Sequence, residues 1–322
     1  MKDLKKNNQQ LSYIITDGEF EEKENIFIYH GKEEVRTNPS TNETTKENAW
    51  GKLLFSNAFR SGRISFDVTF EGINDYSHCG IIFDYKYVDS KEFFYQMIIR
   101  NRVGLFGLDY FNGGKWEFKG LGGNNNTLKA NQKYHISLEI QGNILRFFIN
   151  DVCVYTYSSF ISSASTCGIC VSNDTNVIIE NVEINPNLAT VFSIMKFEKD
   201  FDELYTDVII PKCKDFGYRS VRADECYTTT AIIQDIIKEI SEASVIIADV
   251  TMDNPNVFYE LGYAHALKKP TILLADVEKR EKLPFDISGQ RVVFYNNSIG
   301  GKKDIEKKLE KYFENINSYN NR

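Results

Sequence analysis

Residues 244–266 read Ser244-Val-Ile-Ile-Ala-Asp249-Val-Thr-Met-Asp-Asn254-Pro255-Asn256-Val-Phe-Tyr259-Glu260-Leu-Gly262-Tyr-Ala-His265-Ala266. Val245 to Ala248 is a continuous apolar run that ends on a carboxylate, the pattern of a parallel strand buried on both faces. Pro255 suits the first position of a helix and Asn254 its cap, so the spacing predicts a helix over 256–268. On it Val257, Leu261 and Ala264 face the sheet. Gly262 and Ala266, four apart, would permit a close approach between helix and sheet. Glu260 then sits on the first turns of this helix, beside Asp249. A carboxylate so placed can face a bound sugar, attack its anomeric carbon or stabilise an oxocarbenium-like centre.

The flanking segments repeat the alternation of strand and helix. Thr190–Met195 is a short apolar strand, and Asp202–Phe216 has helical spacing made irregular by Pro211 and stopped by Gly217. Tyr218–Val221 is a second strand. Thr229–Ala243 carries Ile232, Ile233, Ile236, Ile237 and Ile240 on one face, an amphipathic helix. Pro270–Ala275 and Arg291–Tyr295 are further strands, and Lys302–Ile316 is a closing helix. Residues 190–322 are therefore expected to form a doubly wound parallel α/β sheet of flavodoxin-like type. Such sheets bind ligands beyond the carboxyl ends of their strands. That rule marks Lys196 and Phe197, Arg222 and Asp224, and Asp249 with the residues after it.

Upstream the rhythm differs. Arg63–Phe70, Cys79–Tyr85, Phe93–Ile99, Tyr134–Ile140, Ile144–Ile149 and Val177–Ile184 are short runs rich in Ile, Val, Phe and Tyr. Asn112-Gly113-Gly114 and Gln141-Gly142-Asn143 separate them as turns. Many strands without helices imply an all-β sandwich or barrel, with residues 1–186 as the first domain. Ile14-Ile15 and Ile26–Tyr29 read as edge strands and Asn38–Thr45 as a loop. Pro186 marks the boundary, because proline cannot donate to a ladder.

The 322 residues suit two domains, and 42% hydrophobic with 26% charged residues is ordinary for a soluble globular protein. A net charge of −7 leaves no basic surplus for nucleic acid. No apolar stretch of signal-peptide or membrane-span length occurs. The six cysteines include a lone C-x-x-C, Cys167 and Cys170, too few ligands for zinc. No metal site is expected; buried free thiols and a cytoplasmic location are.

Each candidate also has a plain structural reading. Asp249 can simply order the following loop. Asn254 and Asn256 can be capping residues or substrate ligands, and Tyr259 a pocket wall or packing. Lys196 and Arg222 can be surface charges or phosphate partners. His265 is read as a packed histidine. In the β half Tyr76, His78, Tyr110 and Trp116 are either sugar-stacking aromatics or members of a domain already rich in aromatics.

Residues 51–184 resemble the concanavalin-like (laminin-G-like) jelly roll, from Gly62-Arg63-Ile-Ser-Phe-Asp-Val to the Leu145-Arg-Phe-Phe-Ile-Asn150-Asp151 hairpin. The phrase from Asp249 to Ala266 resembles the nucleoside 2-deoxyribosyltransferase-like and TIR-like superfamily. Phe192-Ser-Ile-Met-Lys-Phe197, Val221-Arg-Ala-Asp-Glu225 and Leu283-Pro-Phe-Asp-Ile287 agree with it, so that it extends over residues 190–316. In the transferases the Glu of the Glu-Leu-Gly phrase is the nucleophile, and in TIR NAD hydrolases a Glu on the corresponding helix engages the nicotinamide ribose; both correspond to Glu260. The transferases carry an acidic residue shortly before that Glu, where this chain has Asn254 and Asn256.

The resemblance implies an N-glycosidic bond hydrolase with Glu260 and Asp249 as catalytic residues. Lys196, Phe197, Arg222, Asp224, Asn254, Asn256 and Tyr259 would bind a nucleotide or nucleoside. NAD is the first expected substrate and no cofactor is required. It also implies a homo-oligomer, and an antiphage effector whose sandwich senses a carbohydrate or small-molecule ligand or drives assembly. Nucleoside hydrolysis or deoxyribosyl transfer is the second expectation, and a non-enzymatic nucleotide-binding signalling module the third.

Overall fold

The computed structural model describes residues 11–37, 44–159, 164–225 and 232–318. The chain forms two compact units. The first takes most residues up to Pro186, and the second takes those from Asn187 onward together with Ile140–Leu145 and a segment that starts at Tyr157.

The first unit is an antiparallel β-sandwich of two seven-stranded sheets, with a separate hairpin of Glu33–Thr37 and Thr44–Asn48. One sheet runs Tyr13–Asp17, Trp50–Phe59, Ser165–Ser172, His78–Val88, Lys91–Arg100, Phe106–Asn112, Lys115–Gly122. The other runs Val152–Ser158, Ile144–Ile149, Lys133–Gln141, Gly62–Phe70, Val177–Pro186, Ile26–Tyr29, Phe20–Lys23. Period-two burial supplies the core: Ile64, Phe66, Val68 and Phe70 are fully buried on one strand, as are Ile81, Met97, Ile99 and Ile169 on the other sheet. Gly113 and Gly114 turn the Phe106–Asn112 hairpin with φ of 58° and 114°, a region open to glycine without strain.

The second unit is a five-stranded, all-parallel sheet. Its strands are β1 (Ala189–Ile194), β2 (Tyr218–Arg222), β3 (Val245–Asp249), β4 (Thr271–Asp276) and β5 (Val292–Tyr295), and its helices α1 (Lys199–Leu204), α2 (Ile210–Asp215), α3 (Ile232–Glu242), α4 (Pro255–Ala266) and α5 (Ile299–Ser318). The spatial order is β2-β1-β3-β4-β5, the flavodoxin-like arrangement. Alternation along each strand feeds both faces. Val245 and Ile247 join a core with Leu204, Val208, Ile305, Leu309 and Phe313. Ile246 and Ala248 join a second core with Ile236, Ile240, Val257, Leu261 and Ala264. A sheet covered on both sides in this way needs the unbroken apolar runs that β3 and β4 carry.

Pro211 acts locally as its chemistry requires. It has no N–H for the helical ladder, and the turn before it, Tyr205–Ile209, widens to π geometry, with the Ile210 amide donating to the Tyr205 carbonyl. Gly217 ends α2 at φ 73°. The Lys269 ammonium, nearly buried, donates to the Ser241 and Ala243 carbonyls at 2.6 and 2.8 Å and so caps the end of α3. Among the described residues no helix is long and apolar enough to cross a membrane.

Several expectations differ from what is found. Ile26–Tyr29 is not an edge strand, because Phe20–Lys23 pairs outside it and Tyr29 is fully buried. Of the expected Asn38–Thr45 loop, residues 38–43 lie outside the described residues, and Thr44 and Thr45 are strand. The start of the helix expected at Thr229 also lies outside them. Ile233 is exposed rather than part of the apolar stripe, because the sheet contact needs only the Ile236–Ile240 spacing. Gly262 and Ala266 face solvent, and a Cβ added at Gly262 would meet open space. Close packing of α4 on the sheet is therefore achieved by Ala264. Cys79, Cys167, Cys170 and Cys213 are buried free thiols, but Cys153 is exposed on an edge strand.

Candidate functional site

A cleft of about 570 Å³ opens beyond the carboxyl ends of β1 and β2, against α3 and the first turns of α4. In the order 2-1-3-4-5 the connections diverge between β1 and β3, and the crevice of such a sheet lies at that switch point. Met195, Lys196 and Phe197 enter from β1, and Ala223 and Asp224 from β2. Ile233, Asp235 and Ile236 come from α3, and Asn254, Asn256, Val257, Tyr259 and Glu260 from α4.

The α4 residues are placed by the cap. The Asn254 side chain accepts from the Asn256 amide at 2.9 Å, with Pro255 at the first helical position. With Val257, Leu261 and Ala264 anchored on the sheet, the helical period turns Asn256, Tyr259 and Glu260 toward the cleft. Burial raises the Glu260 carboxyl pKa from 4.5 to about 7, with desolvation as its cause. The group is therefore divided between acid and carboxylate near neutrality. Phe197 and Tyr259, each 55% exposed, form apolar walls at the mouth.

The expected residues separate into three sets. Glu260, Lys196, Phe197, Asp224, Asn254, Asn256 and Tyr259 come together around the cleft. Asp249 does not line it. Its side chain is buried, with Oδ1 accepting from the Thr251 amide at 2.9 Å and Oδ2 from the Tyr295 hydroxyl at 2.8 Å. Burial raises its pKa, opposed by hydrogen bonding from the Thr251 side chain and amide and from the Tyr295 hydroxyl. In this arrangement Asp249 ties β3 to β5 and orders the following loop. Arg222 does not line the cleft either. Its guanidinium holds Asp224 through two bonds, 2.7 and 2.6 Å, and Asp202 through a third at 2.7 Å. It lies over the Tyr205 ring at 4.7 Å and the Phe197 ring at 5.4 Å. Arg222 thus positions Asp224 and Phe197. His265, a turn beyond Glu260, is also absent from the lining.

Six cleft residues were not among the sequence candidates: Met195, Ala223, Ile233, Ile236 and Val257, which are apolar, and Asp235, which carries a charge. It interrupts the isoleucine run of α3, one step off the buried Ile236–Ile240 stripe, and nothing local marks that position as facing a ligand.

In the sandwich the four aromatic candidates do not share one groove. His78 and Trp116 both pack on Trp50, at 5.1 and 5.5 Å. Trp116 opposes Phe111 across the hairpin whereas Tyr110 opposes Glu117, so strand alternation puts Tyr110 on the other face, tilted against Tyr95 at 4.5 Å. Tyr76 lies beneath the Arg102 guanidinium.

No protein-family model matches the chain, and no curated protein matches it in sequence. Several solved structures are similar in part. A carbohydrate-binding module from Bacillus subtilis is 16% identical with a TM-score of 0.41, covering 53% of this chain and 92% of that one. A β-glucanase from Bacillus licheniformis is 10% identical with a TM-score of 0.33, covering 55% of this chain and 92% of its own. A CMP N-glycosidase from Clostridium botulinum is 20% identical with a TM-score of 0.31, covering 38% of this chain and 99% of its own.

Proposed function

We propose that the α/β unit hydrolyses an N-glycosidic bond in a nucleoside or in a nicotinamide riboside compound such as NAD, with Glu260 meeting the anomeric carbon. The observation that carries the reading is a carboxyl group, desolvated to a pKa of about 7, in a cleft at the switch point of a parallel sheet. The likeness of residues 249–266 to deoxyribosyltransferase-like and TIR-like enzymes supports it.

Breaking the C–N bond leaves its electron pair on the base and positive charge on the sugar. The Glu260 carboxylate, weakly solvated, gains more from facing that cation than it would in water. Water then adds its oxygen to the anomeric carbon; its proton goes to the departing base when that base leaves a neutral nucleoside, and to solvent when neutral nicotinamide leaves. Tyr259 and Phe197 offer flat apolar surface to a base, and Asp224, fixed by Arg222, offers acceptors to sugar hydroxyls.

The test is to incubate the protein with NAD and separately with deoxynucleosides, following the released base by chromatography, with Glu260→Ala alongside. Base release that disappears in the variant supports the reading. Release that needs an added acceptor base identifies a transferase, and nucleotide binding without release identifies a binding module.

The place of Asp249 is separately testable. Asparagine can still accept from the Thr251 amide and the Tyr295 hydroxyl, so Asp249→Asn is expected to keep base release within a few-fold of wild type. Asp249→Leu leaves both buried donors unmatched and is expected to lower stability by about 2 kcal/mol in denaturant unfolding. Loss of base release in a fully folded Asp249→Asn protein would show that this carboxylate reaches the substrate.

A further inference from the structure

We infer that the cleft selects N-glycosides without phosphate, nucleosides over nucleotides and dinucleotides; this rests on reading the cleft as the place where an N-glycosidic bond is cut. Phosphate recognition requires a cation or a set of backbone amides free to donate. Among the described residues that line the cleft, Lys196 is the single cation, and its ammonium lies 2.5 Å from Glu198. Arg222, the cation nearest in sequence to Asp224, is engaged on both sides by Asp202 and Asp224.

The helix terminus offers little more. Pro255 has no N–H, and the Asn256 and Phe258 amides already donate to the side chain and carbonyl of Asn254. Against these stand the lining carboxyl groups Asp235 and Glu260, and Asp224, whose charge is offset only in part because Arg222 is shared with Asp202. A phosphate brought to this site meets like charge in a partly desolvated cleft, where screening by water is weak. A neutral nucleoside, or a riboside whose base carries positive charge, meets none of that repulsion.

The experiment compares substrates that differ only in phosphate. Nicotinamide riboside is set against nicotinamide mononucleotide and NAD, and deoxycytidine against its monophosphate. kcat/KM is read from base release by the full chain. The riboside and the nucleoside are expected to be preferred by roughly tenfold or more. Asp224→Asn, which removes one partner of Arg222, is expected to narrow that ratio. Phosphorylated forms processed equally well or better would overturn the inference.

Calorimetric titration of the same compounds into Glu260→Gln separates this inference from the hydrolytic reading. Preferential binding of the phosphate-free forms, with no base released from any compound by wild type, sinks hydrolysis and leaves the selectivity standing. Equal binding, or none, overturns the selectivity whatever the chemistry.

Discussion

Glu260→Gln is expected to lower kcat/KM for base release by about a thousandfold while making the protein more stable at alkaline pH. The two effects share one cause. The carboxyl titrates near pH 7 because ionising it in the cleft is unfavourable. A raised carboxyl pKa means that the folded protein holds its proton more tightly than the unfolded chain does. The relative stability is therefore fully present below about 4.5, the unfolded value, and is lost as pH rises through about 7. Glutamine removes that loss. At pH 8 the variant is expected to gain about 2 kcal/mol in urea unfolding, a figure reduced for the partial exposure of the side chain. At pH 4.5 and below the two proteins should coincide.

Activity should run the other way with pH. The carboxylate is the form that faces a cationic sugar, so kcat/KM of the wild type should rise through about pH 7 and then level off. A profile that falls across the same window would make Glu260 a proton donor. A glutamine variant less stable than wild type at pH 8 would contradict the desolvated site altogether.

Arg222→Leu carries the second large effect. The guanidinium is 7% exposed, stacked on Tyr205 and bonded to two carboxylates, so its removal leaves a hole and two unmatched charges. Breaking a buried ion pair costs about 3–5 kcal/mol. The side chains of Asp202 and Asp224 are 49% and 36% exposed and can recover some hydration, so the expected loss is nearer 2–3 kcal/mol. All described helices belong to the α/β unit, so the far-ultraviolet helix signal during urea unfolding reports the change there. Adding Asp202→Asn and Asp224→Asn to Arg222→Leu should restore part of the loss by removing the unmatched charges. An unchanged midpoint for Arg222→Leu would mean that the cluster is a solvated surface group.

Much of the fold was legible because its signals are local. The change from period-two strands before Pro186 to strand–helix alternation after Ala189 is written in neighbouring side chains. So are the unbroken run of β3, the Asn254-Pro255 helix start and the Gly217 stop. Glu260 could be singled out because the phrase around it, from Asp249 to Ala266, resembles that of deoxyribosyltransferase-like and TIR-like enzymes; the helical period alone left it an ordinary helix residue.

Other features depend on groups brought together from far along the chain, and no periodicity reports them. Arg222 looked like a phosphate partner until Asp202, twenty residues earlier, was found on its other side. The second oxygen of Asp249 is held by the hydroxyl of Tyr295, 46 residues later. Asp235 gave no local sign of facing the cleft.

By itself the sequence determined the division into an all-β and an alternating half, and the places of β3, β4 and α4, because propensity, capping and hydrophobic period act over a few residues. Only the tertiary structure decided which charges neutralise each other, which carboxyl group loses its water and which carboxylates face the cleft. Coulomb interaction and desolvation depend on distance and burial in space, not on separation along the chain.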